Sequence, residues 1–66
     1  MTITLNGQPH ELVTPCTVAV LLERLQLAGR RVAVEHNGRI VPRSAQGHTT
    51  LAPGDRVEVV HAIGGG

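Results

Sequence analysis

Residues 17–25 read Thr-Val-Ala-Val-Leu-Leu-Glu-Arg-Leu, and they are the one stretch of the 66-residue chain with clear helical periodicity. The apolar stripe recurs at i, i+3, i+4 and i+7, which places it on one face of a helix. Its members are Val18, Leu21, Leu22 and Leu25. Thr17 is a favourable N-cap, and Gly29 is expected to end the helix as its C′ residue. The sequence therefore predicts a single amphipathic helix.

The segment before this helix has the pattern of a β-hairpin. Apolar residues alternate with threonines over residues 2–5, as in a half-buried strand. Asn6-Gly7 follows, and this pair suits a type I′ turn because both central residues need positive φ. A second strand is expected from Gln8 to about Val13, with Pro9 near its start, where an edge strand tolerates the missing N–H.

The segment after the helix contains further strands separated by turns. Val32 and Val34 restart the alternation, Asn37-Gly38 marks a turn, and Ile40-Val41 is expected to form a short strand. Residues 44–50 are expected to be irregular, and Leu51 is expected to return to the core. Pro53-Gly54 predicts a tight turn, and a final strand is expected over residues 56–62.

The order ββαβ(β)β predicts an α+β fold of the ubiquitin-like β-grasp class. We expect a mixed sheet of four to five strands packed on one helix, with the first and last strands parallel at its centre. The expected domain spans residues 1–62, and residues 63–66 are expected to form a flexible C-terminal tail.

Composition argues against several classes of function. A chain of this length buries about 60% of its unfolded surface, which leaves little room for a catalytic pocket. There is no Phe, Tyr or Trp on which a nucleic-acid base could stack, and the net charge is only +1. We therefore expect neither an enzyme nor a nucleic-acid binder.

Cysteine usage and hydropathy indicate the compartment. Cys16 is the only cysteine, whereas small secreted domains usually contain several in disulfides. No apolar run approaches the ~18 residues that a membrane span requires, and the N-terminus lacks a signal-peptide pattern. These features predict a cytoplasmic protein without a membrane partner.

The chain ends in Gly64-Gly65-Gly66, which is the most informative feature for function. Glycines contribute nothing to a core and do not hold a regular conformation. A tail without side chains can enter a narrow channel in another protein and present its carboxylate there. The sequence therefore predicts that the Gly66 carboxylate is the working group and that Ile63, Gly64 and Gly65 form the arm that carries it.

The order of elements and the terminal glycines resemble the bacterial sulfur carriers related to ubiquitin, and more specifically the ThiS family of thiazole synthesis. The resemblance covers essentially the whole chain. Its most specific part is residues 37–43, Asn-Gly-Arg-Ile-Val-Pro-Arg, and it continues through residues 53–59 and the end, residues 62–66. The terminal di-glycine alone is shared with ubiquitin and with the small subunit of molybdopterin synthase.

The resemblance implies a carrier acted on by partner enzymes. A ubiquitin-activating-type adenylyltransferase would use ATP and magnesium to adenylate Gly66, so the chain itself would bind no cofactor. A sulfur donor of the cysteine desulfurase or rhodanese type would convert the adenylate into a thiocarboxylate. Thiazole synthase would then receive the sulfur. Arg39 and Arg43 lie in the most specific stretch and are candidates for partner contact.

Other interpretations remain open at the level of sequence. The sulfur could serve molybdopterin, cysteine or specialised-metabolite synthesis, or Gly66 could be joined to lysines as in a ubiquitin-like modifier. A β-grasp binding module is a third interpretation, although it would not need a terminal glycine. A catalytic role for Cys16 is disfavoured because no nearby histidine supplies a base, and the four histidines match no zinc-binding spacing.

Overall fold

The computed structural model describes residues 1–61, which form a five-stranded sheet and one α-helix. The strands are β1 (Thr2–Leu5), β2 (Gln8–Glu11), β3 (Val32–His36), β4 (Arg39–Ile40) and β5 (Arg56–His61). The helix α1 spans Val18–Arg24, and a 3₁₀ helix spans Arg43–His48. This is the mixed sheet on one helix that the sequence predicts. Within residues 1–61, no helix is long and apolar enough to cross a membrane.

The sheet has the strand order β2-β1-β5-β3-β4. The first and last strands lie side by side and parallel, with Leu5 opposite Val57. All the other pairs are antiparallel. The parallel pairing confirms the central arrangement predicted from the sequence, and β2, which contains Pro9, lies at an edge as expected.

Both Asn-Gly pairs form the turns that the sequence predicts. Asn6 and Gly7 have φ of 51° and 82°, and Asn37 and Gly38 have 52° and 86°. Positive φ at both central positions is the signature of a type I′ turn, which matches the twist of antiparallel strands. Two strands have bounds that differ from the expected ones. β2 ends at Glu11, and Val13 is 91% exposed. β4 spans Arg39–Ile40 instead of Ile40-Val41.

The helix is shorter than expected, because it ends at Arg24 and Gly29 does not cap it. Gln26 occupies the left-handed C′ position, with φ of 62°. Its N–H donates to the carbonyl of Glu23 at 3.0 Å, and the N–H of Leu27 donates to the carbonyl of Leu22 at 2.7 Å. This is the pair of bonds of a Schellman motif, formed here around a glutamine. Gly29 instead lies in the following turn, with φ of 78°.

Thr17 is the N-cap, as predicted: its hydroxyl accepts a hydrogen bond from the N–H of Val20 at 3.3 Å. The helix buries its apolar stripe against one face of the sheet, although Leu25 is only partly buried. Within residues 1–61, the core contains no buried polar or charged side chain. It comprises Ile3, Leu12, Cys16, Val18, Leu21, Leu22, Val34, Val41, Leu51, Val57 and Val59.

The connection between β4 and β5 is more regular than the sequence indicates. Residues expected to be irregular form most of the 3₁₀ helix, in which the N–H of Ala45 donates to the carbonyl of Pro42 at 2.8 Å. Leu51 is buried, as predicted, and its N–H donates to the carbonyl of Cys16 at 2.8 Å. Gly54 has φ of 82°, which gives the expected tight turn after Pro53.

Candidate functional site

The predicted working group, Gly66, lies outside the described residues, as do Ile63, Gly64 and Gly65. What the structure shows is the base from which this segment continues. His61 is the last residue of β5 and lies opposite Val32, the first residue of β3. The end of the molecule at Val32 and His61 is called the exit end below.

The strand that leads to the exit end is held on both of its sides. It pairs with β3 from Val57 to His61 and with β1 at its start. Asn6 adds a tie from the first hairpin: its amide oxygen accepts from the N–H of Val59 at 2.7 Å, and its N–H donates to the carbonyl of Val57 at 2.9 Å. The structure therefore fixes the position of the strand that ends the described part of the chain at His61.

A groove of about 180 Å³ lies beside the exit end, between the end of α1 and the 3₁₀ helix. Apolar side chains and two arginines, Arg30 and Arg43, share its lining with Val32. Among the described residues, its lining comprises Ala19, Leu22, Glu23, Leu27, Ala28, Gly29, Arg30, Val32, Arg43 and Gln46. Sequence reasoning missed this groove, because it forms between α1 with its following turn and the 3₁₀ helix, a segment that the sequence analysis expected to be irregular.

The two arginines proposed as partner contacts lie at opposite ends of the sheet. Arg39 is opposite His36, which in turn lies opposite Val57 near the start of β5. Arg43 lines the groove together with Val32, which lies opposite the end of β5. Both side chains are exposed, and the two residues belong to different elements, β4 and the 3₁₀ helix.

A polar cluster at the end of the sheet away from the exit joins the second hairpin to β5. The His36 ring Nε2 and the Asp55 carboxylate Oδ2 are 2.6 Å apart, and Asn37 Nδ2 donates to Asp55 Oδ1 at 3.2 Å. The Ala52 N–H donates to Asp55 Oδ2 at 2.8 Å. Asn37 also accepts from the N–H of Arg56 at 2.8 Å. The sequence pattern gave no sign of this cluster, because its members are some twenty positions apart along the chain.

The carboxyl of Asp55 is perturbed by this environment. Partial burial raises its pKa, but the hydrogen bonds from His36, Ala52 and Asn37 favour the carboxylate and outweigh that effect. The net result is a pKa below the ordinary value of 3.8. All of these hydrogen bonds join residues of the fold to one another. The cluster therefore holds the second hairpin to the turn before β5.

A second lowered pKa belongs to Glu11 at the edge of the sheet. The hydroxyl of Thr2 donates to its carboxylate at 2.7 Å, and the amino group of Met1 lies 3.0 Å from it. The hydrogen bond from Thr2 is the main reason for the lowered pKa, followed by the bond and charge of the amino group. These two contacts hold the N-terminus of the chain to Glu11, the last residue of β2.

The residues that could hold a metal or act as a nucleophile do not assemble into a site within the described chain. Among residues 1–61, no three side chains of His, Cys, Asp or Glu lie close enough together to ligate one ion. Cys16 is a free thiol that is 8% exposed and packed in the apolar core. Its burial among aliphatic side chains agrees with a packing role.

The face of the sheet away from α1 carries two exposed aliphatic side chains. Ile40 is 65% exposed and Val60 is 57% exposed. Ile40 lies opposite Glu35, and Glu35 lies opposite Glu58. Arg56 alternates with Glu58 and Val60 along β5, so this face carries apolar, acidic and basic side chains together.

Comparison with known proteins covers nearly the whole chain. The model of the ThiS family matches residues 3–66. A crystal structure of a thiamine biosynthesis protein (ThiS) from Geobacter metallireducens is 38% identical and superposes with a TM-score of 0.87, with all of both chains covered. A solution structure of a thiamine biosynthesis protein from the same organism superposes with a TM-score of 0.83 over the whole of this chain and 88% of the other.

Two curated relatives are larger proteins named thiazole synthase. The one from Magnetococcus marinus is 46% identical over all 66 residues, and the one from Paramagnetospirillum magneticum is 39% identical. The chain spans 20% of the length of each of them. An uncharacterised protein, ycf40, of Pyropia yezoensis is 35% identical, and the chain spans 93% of its length.

Proposed function

Because the chain belongs to the ThiS family, we propose that it carries sulfur for thiamine biosynthesis as a thiocarboxylate on Gly66. The observation that supports this most directly is the likeness to the Geobacter metallireducens ThiS, which extends over all of both chains at 38% identity. The family match also reaches Gly66, so the predicted working group belongs to the matched region.

The proposed chemistry begins with the poor reactivity of a carboxylate toward sulfur. A partner adenylyltransferase joins the Gly66 carboxylate to AMP from ATP and releases pyrophosphate, which turns an oxygen of the carboxylate into part of a good leaving group. A persulfide sulfur then attacks the acyl carbon and displaces AMP. Cleavage of the S–S bond by a thiol leaves the thiocarboxylate. ATP and magnesium act in the partner, and this chain supplies the carboxylate and a body to be recognised.

In this scheme, the described residues set the point from which the C-terminal segment continues. The strand β5 is paired on both sides at its start and tied to Asn6, so the segment 62–66 continues from a fixed point. Five residues span at most about 17 Å when fully extended. A partner that acts on Gly66 must therefore cover the exit end of the molecule.

Thiazole synthase is the proposed recipient of the sulfur. Support comes from the two relatives named thiazole synthase, in which a stretch similar to this whole chain makes up one fifth of the protein. The activating enzyme and the sulfur donor are proposed from the family. Arg43 at the groove and Arg39 in β4 remain the proposed partner contacts.

Complementation of a bacterial strain that lacks its own ThiS gene tests the thiamine assignment. We expect the chain to restore growth without thiamine and a variant lacking Gly66 to fail, although both proteins accumulate to the same level. Gly47→Ala is a matched control, because a Cβ at Gly47 meets open space and its φ is not positive. Failure of the accumulated, folded wild-type chain to restore growth would contradict the thiamine assignment.

A further inference from the structure

The two Asn-Gly turns are a matched pair in their backbone geometry. Asn6 and Asn37 have φ of 51° and 52°, and the glycines that follow them have φ of 82° and 86°. All four residues are exposed, and a Cβ added to either glycine would meet open space. The backbone nitrogen of a glycine is the least hindered nucleophile that can follow an asparagine, because glycine has no Cβ. The main difference between the two turns therefore lies in what holds the asparagine side chains.

The amide oxygens of the two asparagines are held alike. Oδ1 of Asn6 accepts from the N–H of Val59 at 2.7 Å, and Oδ1 of Asn37 accepts from the N–H of Arg56 at 2.8 Å. An N–H in this position also stabilises the negative charge that the oxygen gains when a nucleophile adds to the amide carbon. Both turns therefore offer the same stabilisation to an attack on the side-chain carbonyl.

The amide nitrogens of the two asparagines are held differently. Nδ2 of Asn37 donates to Asp55 Oδ1 at 3.2 Å and lies 3.4 Å from His36 Nε2. A hydrogen bond to a carboxylate is stronger than one between neutral groups. Among residues 1–61, no group accepts a hydrogen bond from Nδ2 of Asn6. The nitrogen of Asn37 must therefore break away from Asp55 before it can leave, and that of Asn6 has no such bond to break within the described chain.

We propose that Asn6 is a site of spontaneous deamidation in the folded chain and that Asn37 is protected from the same reaction by its bond to Asp55. The backbone nitrogen of Gly7 attacks Cγ of Asn6 and loses its proton to solvent, and Nδ2 leaves as ammonia with a proton taken from solvent. The product is a cyclic succinimide. Water then opens the ring at one of its two carbonyl carbons, which gives either aspartate or isoaspartate at position 6.

The isoaspartate product changes the link between the first hairpin and β5. In isoaspartate the main chain runs through the side-chain carbons, so the turn gains one backbone atom and no longer matches a two-residue type I′ loop. The oxygen that accepts from the N–H of Val59 is then displaced. Val59 is buried and lies two residues before His61, so this modification loosens the end of β5. Aspartate keeps both the backbone and an acceptor oxygen, and it should leave the link in place.

Peptide mapping of the purified full-length chain after ageing in mildly alkaline buffer tests the proposal without any partner enzyme. Trypsin cleaves after arginine and so places the two asparagines in separate peptides, residues 1–24 and 32–39. We expect aspartate and isoaspartate to accumulate at Asn6 at least about fivefold faster than at Asn37, the factor that one hydrogen bond of average strength supplies. In urea, where neither side chain is held, the two rates should agree within about twofold.

Asp55→Ala is the variant that removes the protection. We expect it to accelerate the reaction at Asn37 toward the rate at Asn6 and to leave the rate at Asn6 unchanged. Glu11→Ala is the matched control, because it removes a hydrogen-bonded carboxylate from the edge strand β2 and should change neither rate. Thermal melts establish that each variant is folded under the conditions of the assay.

Hydrogen exchange checks the structural consequence of the modification. The N–H of Val59 should exchange faster in the chain with isoaspartate at position 6 than in the unmodified chain. The N–H of Arg56, which is held by Asn37, should exchange as before. Unchanged exchange at Val59 would overturn the loosening of β5.

The wild-type comparison decides the proposal even if Asp55→Ala does not fold. Equal rates at the two asparagines in the folded chain, faster reaction at Asn37, or no reaction at Asn6 would each overturn it. The same preference for Asn6 in urea would also overturn it, because the preference would then come from neighbouring residues along the chain and not from the fold. None of these measurements depends on sulfur transfer, so this proposal and the proposed function can fail separately.

Discussion

At the scale of the residue, the two turn asparagines show how far sequence reasoning reaches. The pairs Asn6-Gly7 and Asn37-Gly38 predict their own backbone conformations, because few other residue pairs adopt positive φ at both positions as readily. The sequence does not predict what the asparagine side chains do. Both amide oxygens accept from N–H groups of β5, at 2.7 Å and 2.8 Å, and so bind the two hairpins to the central strand. Such bonds depend on tertiary distances that no local pattern encodes.

The Asp55 cluster leads to a prediction about acid stability. The pKa of Asp55 is lowered in the folded chain, so its contribution to stability is complete above the unfolded pKa near 3.8 and is lost as the pH falls through the folded value. Asp55→Ala should therefore lower the free energy of unfolding at pH 7 by about 1–3 kcal/mol.

Urea denaturation at a series of pH values measures this effect. The difference between wild type and Asp55→Ala should shrink as the pH falls below 3.8, because protonation weakens the bonds of the wild-type carboxylate to its donors. A difference that stays constant from pH 7 to pH 3 would show that the charge of Asp55 does not contribute.

At the scale of the element, the helix was predicted correctly in its start and its buried face but not in its end. The start and the buried face are encoded locally, by the N-cap Thr17 and by the spacing of the apolar residues, so the sequence predicts both. The end depends on Gln26, a residue with no preference for the left-handed conformation that it adopts. The packing of Leu22 and Leu27 on either side, joined by a hydrogen bond of 2.7 Å, overrides that preference.

The helix stripe is expected to carry a large part of the stability. Leu22 is 4% exposed in a core without aromatic side chains. Leu22→Ala should reduce the free energy of unfolding by roughly 2–5 kcal/mol, from lost burial and the cavity left behind. Thermal or urea denaturation checks this. A variant that melts like the wild type would contradict the packing described for α1.

The helix end offers a stabilising substitution. Because Gln26 has φ of 62°, Gln26→Gly should relieve the steric cost of its Cβ and stabilise the chain by about 1 kcal/mol. Gln46→Gly is the control, since Gln46 does not have positive φ and should gain nothing. Urea denaturation compares the two variants, and a loss of stability in Gln26→Gly would contradict the Schellman motif.

At the scale of the whole molecule, the topology was predictable and the surfaces were not. One helix between two hairpins leaves few ways to cover a sheet, and the parallel pairing of β1 and β5 follows from that restriction. The groove and the open face of the sheet depend on which distant residues become neighbours. The predicted site residues 63–66 lie outside the described chain, so their roles remain predictions.

The central claim is that Gly66 carries the sulfur, and intact-mass analysis of the purified chain tests it most directly. With ATP and sulfide alone, the mass should not change, because activation requires a partner. With a ThiS-activating enzyme, ATP, magnesium and a cysteine desulfurase with its cysteine, the mass should rise by the difference between sulfur and oxygen, and fragmentation should place the change at Gly66. A change located at Cys16, or an amide to a lysine of another protein as the sole product, would contradict the claim.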